Sequence, residues 1–391
     1  MPASASPEAS LALRLVATAE RRSVCEGEIR ALADRVDPAR LIRFLRAQAL
    51  LPLAGSRLHA LGEPVWPELA AAVDADREAF RRRGSAQSML GLRWATKLEA
   101  AGIPCLPLKG ALLGQRIHGD LGLRGAGDVD LLVPAAQLGD AVEILRDDGF
   151  GPPADRMSAN GLPEIHFRLD DPKGALPSVE LHWRIHWYEE SFSSELLQRS
   201  TFGEAGYRVA RPADELASLL LFYARDGFVG LRLASDIAAW WDASGGELSA
   251  GGLQPIADRH PEIGFALATA ARVADRLVGL PSADLLDERP ALRRRSGIAA
   301  RLANWNLAGS HDRNVTNYHL VDWLLSPPGG GAAALRRQLL REPRRRTGLG
   351  RGIEQLRLVL RPPSRLLKSV AGLWSVRGGR CFSPPPYPLD D

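Results

Sequence analysis

The chain has 391 residues, of which 45% are hydrophobic, enough to fill sizeable cores in two or three domains. Its net charge is only +4, and its most apolar stretch, Leu216 to Tyr223, is closed within a few residues by Arg225 and Asp226, which excludes a membrane span of roughly 20 apolar residues. Cys25, Cys105 and Cys381 are odd in number and widely spaced, excluding a disulfide framework and a cysteine-built zinc site. With no secretory signal order in Met1 to Pro7, a cytoplasmic protein is expected.

Apolar residues at helical spacing from about Leu11 to Leu61, among them Leu41, Phe44, Leu45 and Leu51, predict a helical N-terminal region over residues 1–84. A further helix runs from about Pro67 to Leu98 and delivers the chain to Gly102-Ile103-Pro104. Cys105 to Leu108 then reads as a short strand followed by Lys109-Gly110 and a helix from Ala111 to Arg116. A strand that turns into a helix through Lys-Gly offers free N–H groups and a positive dipole end, a seat for phosphate.

Next comes Gly127-Asp128-Val129-Asp130-Leu131-Leu132-Val133. On a strand, side chains alternate, so Asp128 and Asp130 share one face roughly 7 Å apart, while Val129, Leu131 and Val133 turn to a core. The aspartates are expected at the solvent end, able to hold a hard cation such as Mg²⁺, with Mn²⁺ as an alternative. A helix from Pro134 to Asp147 follows, closed by Gly149. Ile165 to Leu169 and Val179 to Trp183 then form a hairpin across Asp170-Asp171-Pro172-Lys173-Gly174. Glu180 is the single acid in the second of these apolar strands, and a strand roughly 4.8 Å from the aspartates can bring it to their face. Three carboxylates at two cations suit phosphoryl or nucleotidyl transfer.

Helices return from Pro212, where Leu216, Leu219, Leu220 and Tyr223 form an apolar face, through Leu233 to Trp241, Leu253 to Leu277 and Leu292 to Leu307. Pro327 to Gly331 breaks the chain, and Arg336 to Arg380 carries about thirteen basic groups against Glu342 and Glu354. The expected organisation is a core over 85–205, a helical domain over 206–326, and a basic segment over 327–391 with a Pro-rich tail. That segment can meet nucleic acid or an anionic membrane, or dock on its own protein.

Leu108-Lys109-Gly110, Leu123-Arg124, Gly127 to Val133 and Val179-Glu180-Leu181-His182-Trp183 occur in the order of a known signature. Together with Leu231-Arg232-Leu233 and Asp236-Ile237-Ala238, they resemble the uncharacterised bacterial nucleotidyltransferase family within the DNA polymerase β-like superfamily. The resemblance implies an α+β fold: a polymerase-β-like core with a small mixed sheet, flanked by mainly helical subdomains. It implies Asp128, Asp130 and Glu180 as catalytic metal ligands, Gly110 in the nucleotide-phosphate loop, and a nucleoside triphosphate and an acceptor as substrates. Lys109 and Arg124 are read as charge neutralisers, Arg124 forking onto phosphate or orienting Asp128. The chain has Gly110-Ala111 where the superfamily places Gly before Gly or Ser, and Tyr223 to Asp226 where the branch carries a histidine.

Other signals are weaker. His182 and His186 have a helical metal spacing but sit on and after a strand, and Gly348 to Gly352 lacks the strand that a dinucleotide loop needs. Trp183, Trp187, Trp240 and Trp241 read as core before base-stacking platforms. Two other functions fit an Asp-x-Asp strand: a nucleotide-sugar glycosyltransferase, which does not require Glu180 as a metal ligand, and a non-catalytic nucleotide-binding or scaffold protein.

Overall fold

A computed structural model describes residues 6–62, 66–151 and 165–287, with residues 298, 299 and 325. Five short helices open it: α1 (Pro7–Leu15), α2 (Ala19–Val24), α3 (Glu26–Ala33), α4 (Pro38–Ala47) and α5 (Leu51–Ala60). Local chemistry starts them. The side chains of Ser6, Thr18 and Asp37 accept N–H bonds from Ala9, Arg21 and Arg40, and proline sits in the first turn of α1, α4 and α5. Helix α6 (Pro67–Ala100) then runs unbroken for 34 residues, ending just before Gly102 at φ 77°.

The sheet region follows as β1 (Leu106–Pro107), α7 (Ala111–His118), β2 (Asp128–Leu132), α8 (Leu138–Asp147), β3 (His166–Leu169) and β4 (Ser178–His182). The helix predicted from Pro134 opens instead as a 3₁₀ turn at Ala135–Gln137. Strand order is β1-β2-β4-β3, with β2 and β4 parallel and the outer pairs antiparallel. The predicted β3–β4 hairpin is present. Asp171 organises its connection by accepting N–H bonds from Lys173, Ala175 and Leu176.

Beyond the sheet lie α9 (Phe192–Arg199), a two-stranded ribbon of β5 (Thr201–Phe202) and β6 (Arg208–Val209), α10 (Pro212–Arg225), α11 (Arg232–Ser244), α12 (Gln254–Arg259), α13 (Pro261–Val278) and α14 (Ser282–Leu285). The architecture is therefore mixed α+β, mostly helical around a small mixed sheet. The helix expected over Leu292 to Leu307 and the basic segment of 327–391 fall outside the described residues, apart from residues 298 and 299. No described helix is long and apolar enough to cross a membrane.

Two apolar cores cover the two faces of the sheet. On one, Val129, Leu131, Val133, Val179 and Leu181 pack with Trp94 and Leu98 of α6 and Leu145 of α8. On the other, Leu132 joins the larger core that unites the N-terminal helices with α10, α11 and α13. Helix α10 departs from the single apolar face predicted for it: Leu216 through Arg225 are all buried. A helix buried on every side belongs inside a fold, and here it roofs the face of the sheet that carries the aspartates.

Candidate active site

Register builds the site. Across the parallel β2–β4 pair, Asp128 stands opposite Ser178, Asp130 opposite Glu180 and Leu132 opposite His182. Alternation therefore turns Asp128, Asp130, Glu180 and His182 to the same side. Asp128, Asp130 and Glu180 each offer an oxygen, and these oxygens lie within 4.8 Å of one another. The carboxylates that the sequence places on adjacent strands thus do converge.

Strand β1 supplies the cation. The backbone N–H of Leu108 donates to the Asp130 carbonyl at 3.1 Å, which holds the next residue over the aspartates. Lys109 Nζ then donates to Asp130 Oδ1 at 2.7 Å, with the ammonium 5.1 Å from the centre of the Phe222 ring. Gly110 follows at φ 96°, ψ −149°, a conformation essentially reserved for glycine, and caps the start of α7. A Cβ there would sit 3.5 Å from the Asp128 carbonyl, so the turn into α7 lies directly against the aspartate strand.

The aspartates are not equally exposed, as their placement at a solvent end had predicted. Asp128 is half-buried, but Asp130 is 1% exposed beneath Lys109 and α10. Burial works against the Asp130 charge, yet Lys109 and His182 outweigh it and hold the carboxyl far below its usual range. Burial and the neighbouring Asp130 charge push Asp128 upward. Burial also opposes the Glu180 charge, but the neighbouring imidazoles of His182 and His166 hold its carboxyl low. Lys109 resists desolvation because Asp130, Asp128 and Glu180 surround it with negative charge.

Arg124 takes a different place from the one anticipated. Its Nε and a terminal nitrogen donate to the two oxygens of Asp236 on α11 at 2.9 and 2.7 Å, so its fork grips a carboxylate of the helical region instead of phosphate or Asp128. Arg168, opposite Glu180 across the β3–β4 pair, turns to Asp170 at 2.9 Å. Trp240 is core, with Nε1–H donating to Glu215 at 2.6 Å.

His182 is the residue that sequence reasoning missed. Its Nε2 lies 2.9 Å from Asp130 Oδ1 and 3.4 Å from Glu180 Oε2, and its ring packs edge-on against Phe222 at 5.7 Å. Its spacing to His186 suggested a helical template and led away from the site. The useful signal was the two-residue step from Glu180 to His182 along one strand face. Arg225 and Phe222 also bound the site, the guanidinium 4.6 Å from the ring centre. Arg225 belongs to the segment Tyr223 to Asp226, which stands where the resembling branch carries a histidine.

Among curated proteins, none matches the chain. A solved antigenic nucleotidyltransferase-like protein from Paracoccidioides brasiliensis is 18% identical over 46% of this chain and 91% of its own, with a TM-score of 0.28, a superposition too slight to bear on the chemistry. Residues 34–279, which include every site residue named above, match a family described as uncharacterised nucleotidyltransferase. The carboxylates, their lysine and the helix that roofs them all lie within the matched span, and the chain belongs to that nucleotidyltransferase family.

Proposed function

We propose that the protein transfers a nucleoside monophosphate from a nucleoside triphosphate to a hydroxyl or phosphate oxygen of an acceptor, with divalent cations held by Asp128, Asp130 and Glu180. One observation carries the reading: the oxygens of these three carboxylates lie within 4.8 Å of one another on neighbouring strands. The donor set also fits a cation, because Asp130 Oδ2 is buried without a hydrogen-bond partner. When bound, Mg²⁺ neutralises triphosphate charge and stabilises the attacking and leaving oxygens.

The chain's own groups supply position and electrostatics. Lys109 brings a point charge to the edge of the carboxylates, where the phosphates of the nucleotide carry their negative charge. Gly110 opens the N-terminus of α7, whose free N–H groups favour an anion without the hydroxyl that Ala111 lacks. Phe222 and α10 exclude water from Asp130 and His182. In the reaction, the acceptor oxygen bonds to the α-phosphorus as the bond to the bridging oxygen breaks, and pyrophosphate leaves with the electron pair.

A third carboxylate favours this chemistry over a nucleotide-sugar glycosyltransferase, which needs only the Asp-x-Asp pair. The experiment incubates the full chain with Mg²⁺, nucleoside triphosphates labelled at the α-phosphate and a panel of acceptors. Metal-dependent label transfer is expected, and Asp128→Asn and Asp130→Asn should each abolish it while retaining the wild-type circular dichroism. Full turnover in either variant refutes the metal assignment, and nucleoside diphosphate released from a sugar donor points to glycosyl transfer.

A further inference from the structure

Glu180 belongs to two constellations. Besides the acidic triad, His166, Glu180 and His182 each offer a ligand atom, and these atoms too lie within 4.8 Å of one another. His166 on β3 stands directly opposite His182 on β4, and Glu180 lies two residues earlier on the same strand. Cross-strand pairing and alternation therefore gather all three on one face of a rigid ladder.

The three side chains are close enough to converge on one ion. His166 Nε2 is 3.6 Å from Glu180 Oε1, and His182 Nε2 is 3.4 Å from Glu180 Oε2, so one imidazole flanks each carboxylate oxygen. Both distances are long for a hydrogen bond. Around a tetrahedral ion with bonds of about 2.0–2.1 Å, however, neighbouring donor atoms lie about 3.3–3.4 Å apart. Neither Nδ1 has a hydrogen-bond partner, so in each ring Nδ1 can take the proton when Nε2 turns to a metal.

The geometry points to a binding site for a divalent first-row transition ion of the Zn²⁺ or Co²⁺ kind, held by His166, Glu180 and His182 beside the acidic triad. Two imidazoles and one carboxylate form a borderline donor set that such ions prefer, whereas Mg²⁺ prefers oxygen alone. The ion takes the place of the hydrogen that His182 Nε2 shares with Asp130 Oδ1 at 2.9 Å, and the ring then carries its proton on Nδ1. Asp130 keeps a cationic partner throughout, because Lys109 remains on the same oxygen at 2.7 Å. This site stands on its own donors and does not require nucleotidyl transfer.

The probe is Co²⁺ alone, added to the full chain after chelator treatment and without nucleotide. Visible d–d absorption should saturate at about one equivalent, yield to equimolar Zn²⁺ and withstand a large excess of Mg²⁺. His166→Ala, at a side chain 33% exposed, should weaken Co²⁺ binding on the order of 100-fold or more, while Asp128→Asn leaves it within a few-fold. A readout that needs no variant is nitrogen hyperfine coupling on bound Cu²⁺, which favours imidazole over an all-oxygen site. The proposal is overturned by absent absorption, by displacement with Mg²⁺, by absent nitrogen coupling, or by binding that Asp128→Asn abolishes and His166→Ala spares. Those results leave nucleotidyl transfer to be judged by label transfer in the Asp128 variant.

Discussion

Arg124 and Asp236 close a two-pronged ion pair between the loop before β2 and helix α11, with side chains only 4% and 2% exposed. Such a pair contributes little net stability when intact but is costly to halve, since the survivor is left as a buried unpaired charge. Arg124→Met or Asp236→Leu alone should lower unfolding stability by about 3–5 kcal/mol. The double variant should recover most of that loss. Urea unfolding measures all three, and fully additive losses in the double variant would count against direct coupling.

Lys109 is the nearest cation to the candidate metal ligands, and its removal leaves Asp130 Oδ1 with His182 as its remaining partner. Lys109→Met should reduce label transfer on the order of 100-fold or more, the scale of losing one aimed electrostatic donor. Lys109→Arg restores the charge but not the compact ammonium geometry, so it should recover stability better than turnover. Comparing unfolding midpoints with turnover under saturating nucleotide separates these effects, and wild-type turnover in the methionine variant would remove Lys109 from the machinery.

The parts of this site that can be read from sequence are local or one strand apart. Asp128 and Asp130 announce a shared face by alternation, Lys109-Gly110 marks a turn into a helix, and Glu180 is the only acid in its apolar run. His166 became visible only through the β3–β4 register, which no periodicity encodes. Arg124 and Asp236 lie 112 positions apart, so a local reading assigned the guanidinium to phosphate. Helix α10 misled in a similar way. Its run from Leu216 to Ala224 contains Ser218 as the sole polar interruption, and the positions read as one apolar face belong to a helix enclosed on all sides.

Gly110 and Gly114 sit four residues apart and should fail differently on replacement by alanine. At Gly110 the new Cβ would meet only the Asp128 carbonyl at 3.5 Å, an ordinary contact, so the penalty is backbone strain at φ 96°, about 1–3 kcal/mol. At Gly114 the Cβ would lie 2.8 Å from Arg124 Cδ and push the guanidinium off Asp236. Gly114→Ala should therefore cost markedly less in an Arg124→Ala background, whereas Gly110→Ala should cost the same in both. Thermal unfolding of the six chains, two backgrounds and four alanine variants, decides it, and equal penalties for Gly114→Ala in both backgrounds would show that Arg124 is not what it strikes.

Glu189 gives the fold a pH dependence away from the carboxylate triad. It is 2% exposed, with Oε1 accepting from Ser193 Oγ at 2.6 Å and from the Ile185 N–H at 2.9 Å, while Oε2 has no hydrogen-bond partner. Burial raises its pKa from 4.5 to about 7. Because the folded state holds this proton more tightly than the unfolded chain, the contribution to stability is fully present below 4.5 and lost as pH rises through about 7. The loss runs at about 1.4 kcal/mol per pH unit across that window, a few kcal/mol in all. Glu189→Gln keeps an oxygen for Ser193 and Ile185 but cannot ionise. Its stability should match wild type near about pH 4.5 and exceed it near about pH 8 by that amount. Parallel urea unfolding at the two pH values tests the sign. A wild-type chain that gains stability relative to the glutamine variant as pH rises would show that the buried carboxylate is stabilised in its charged form.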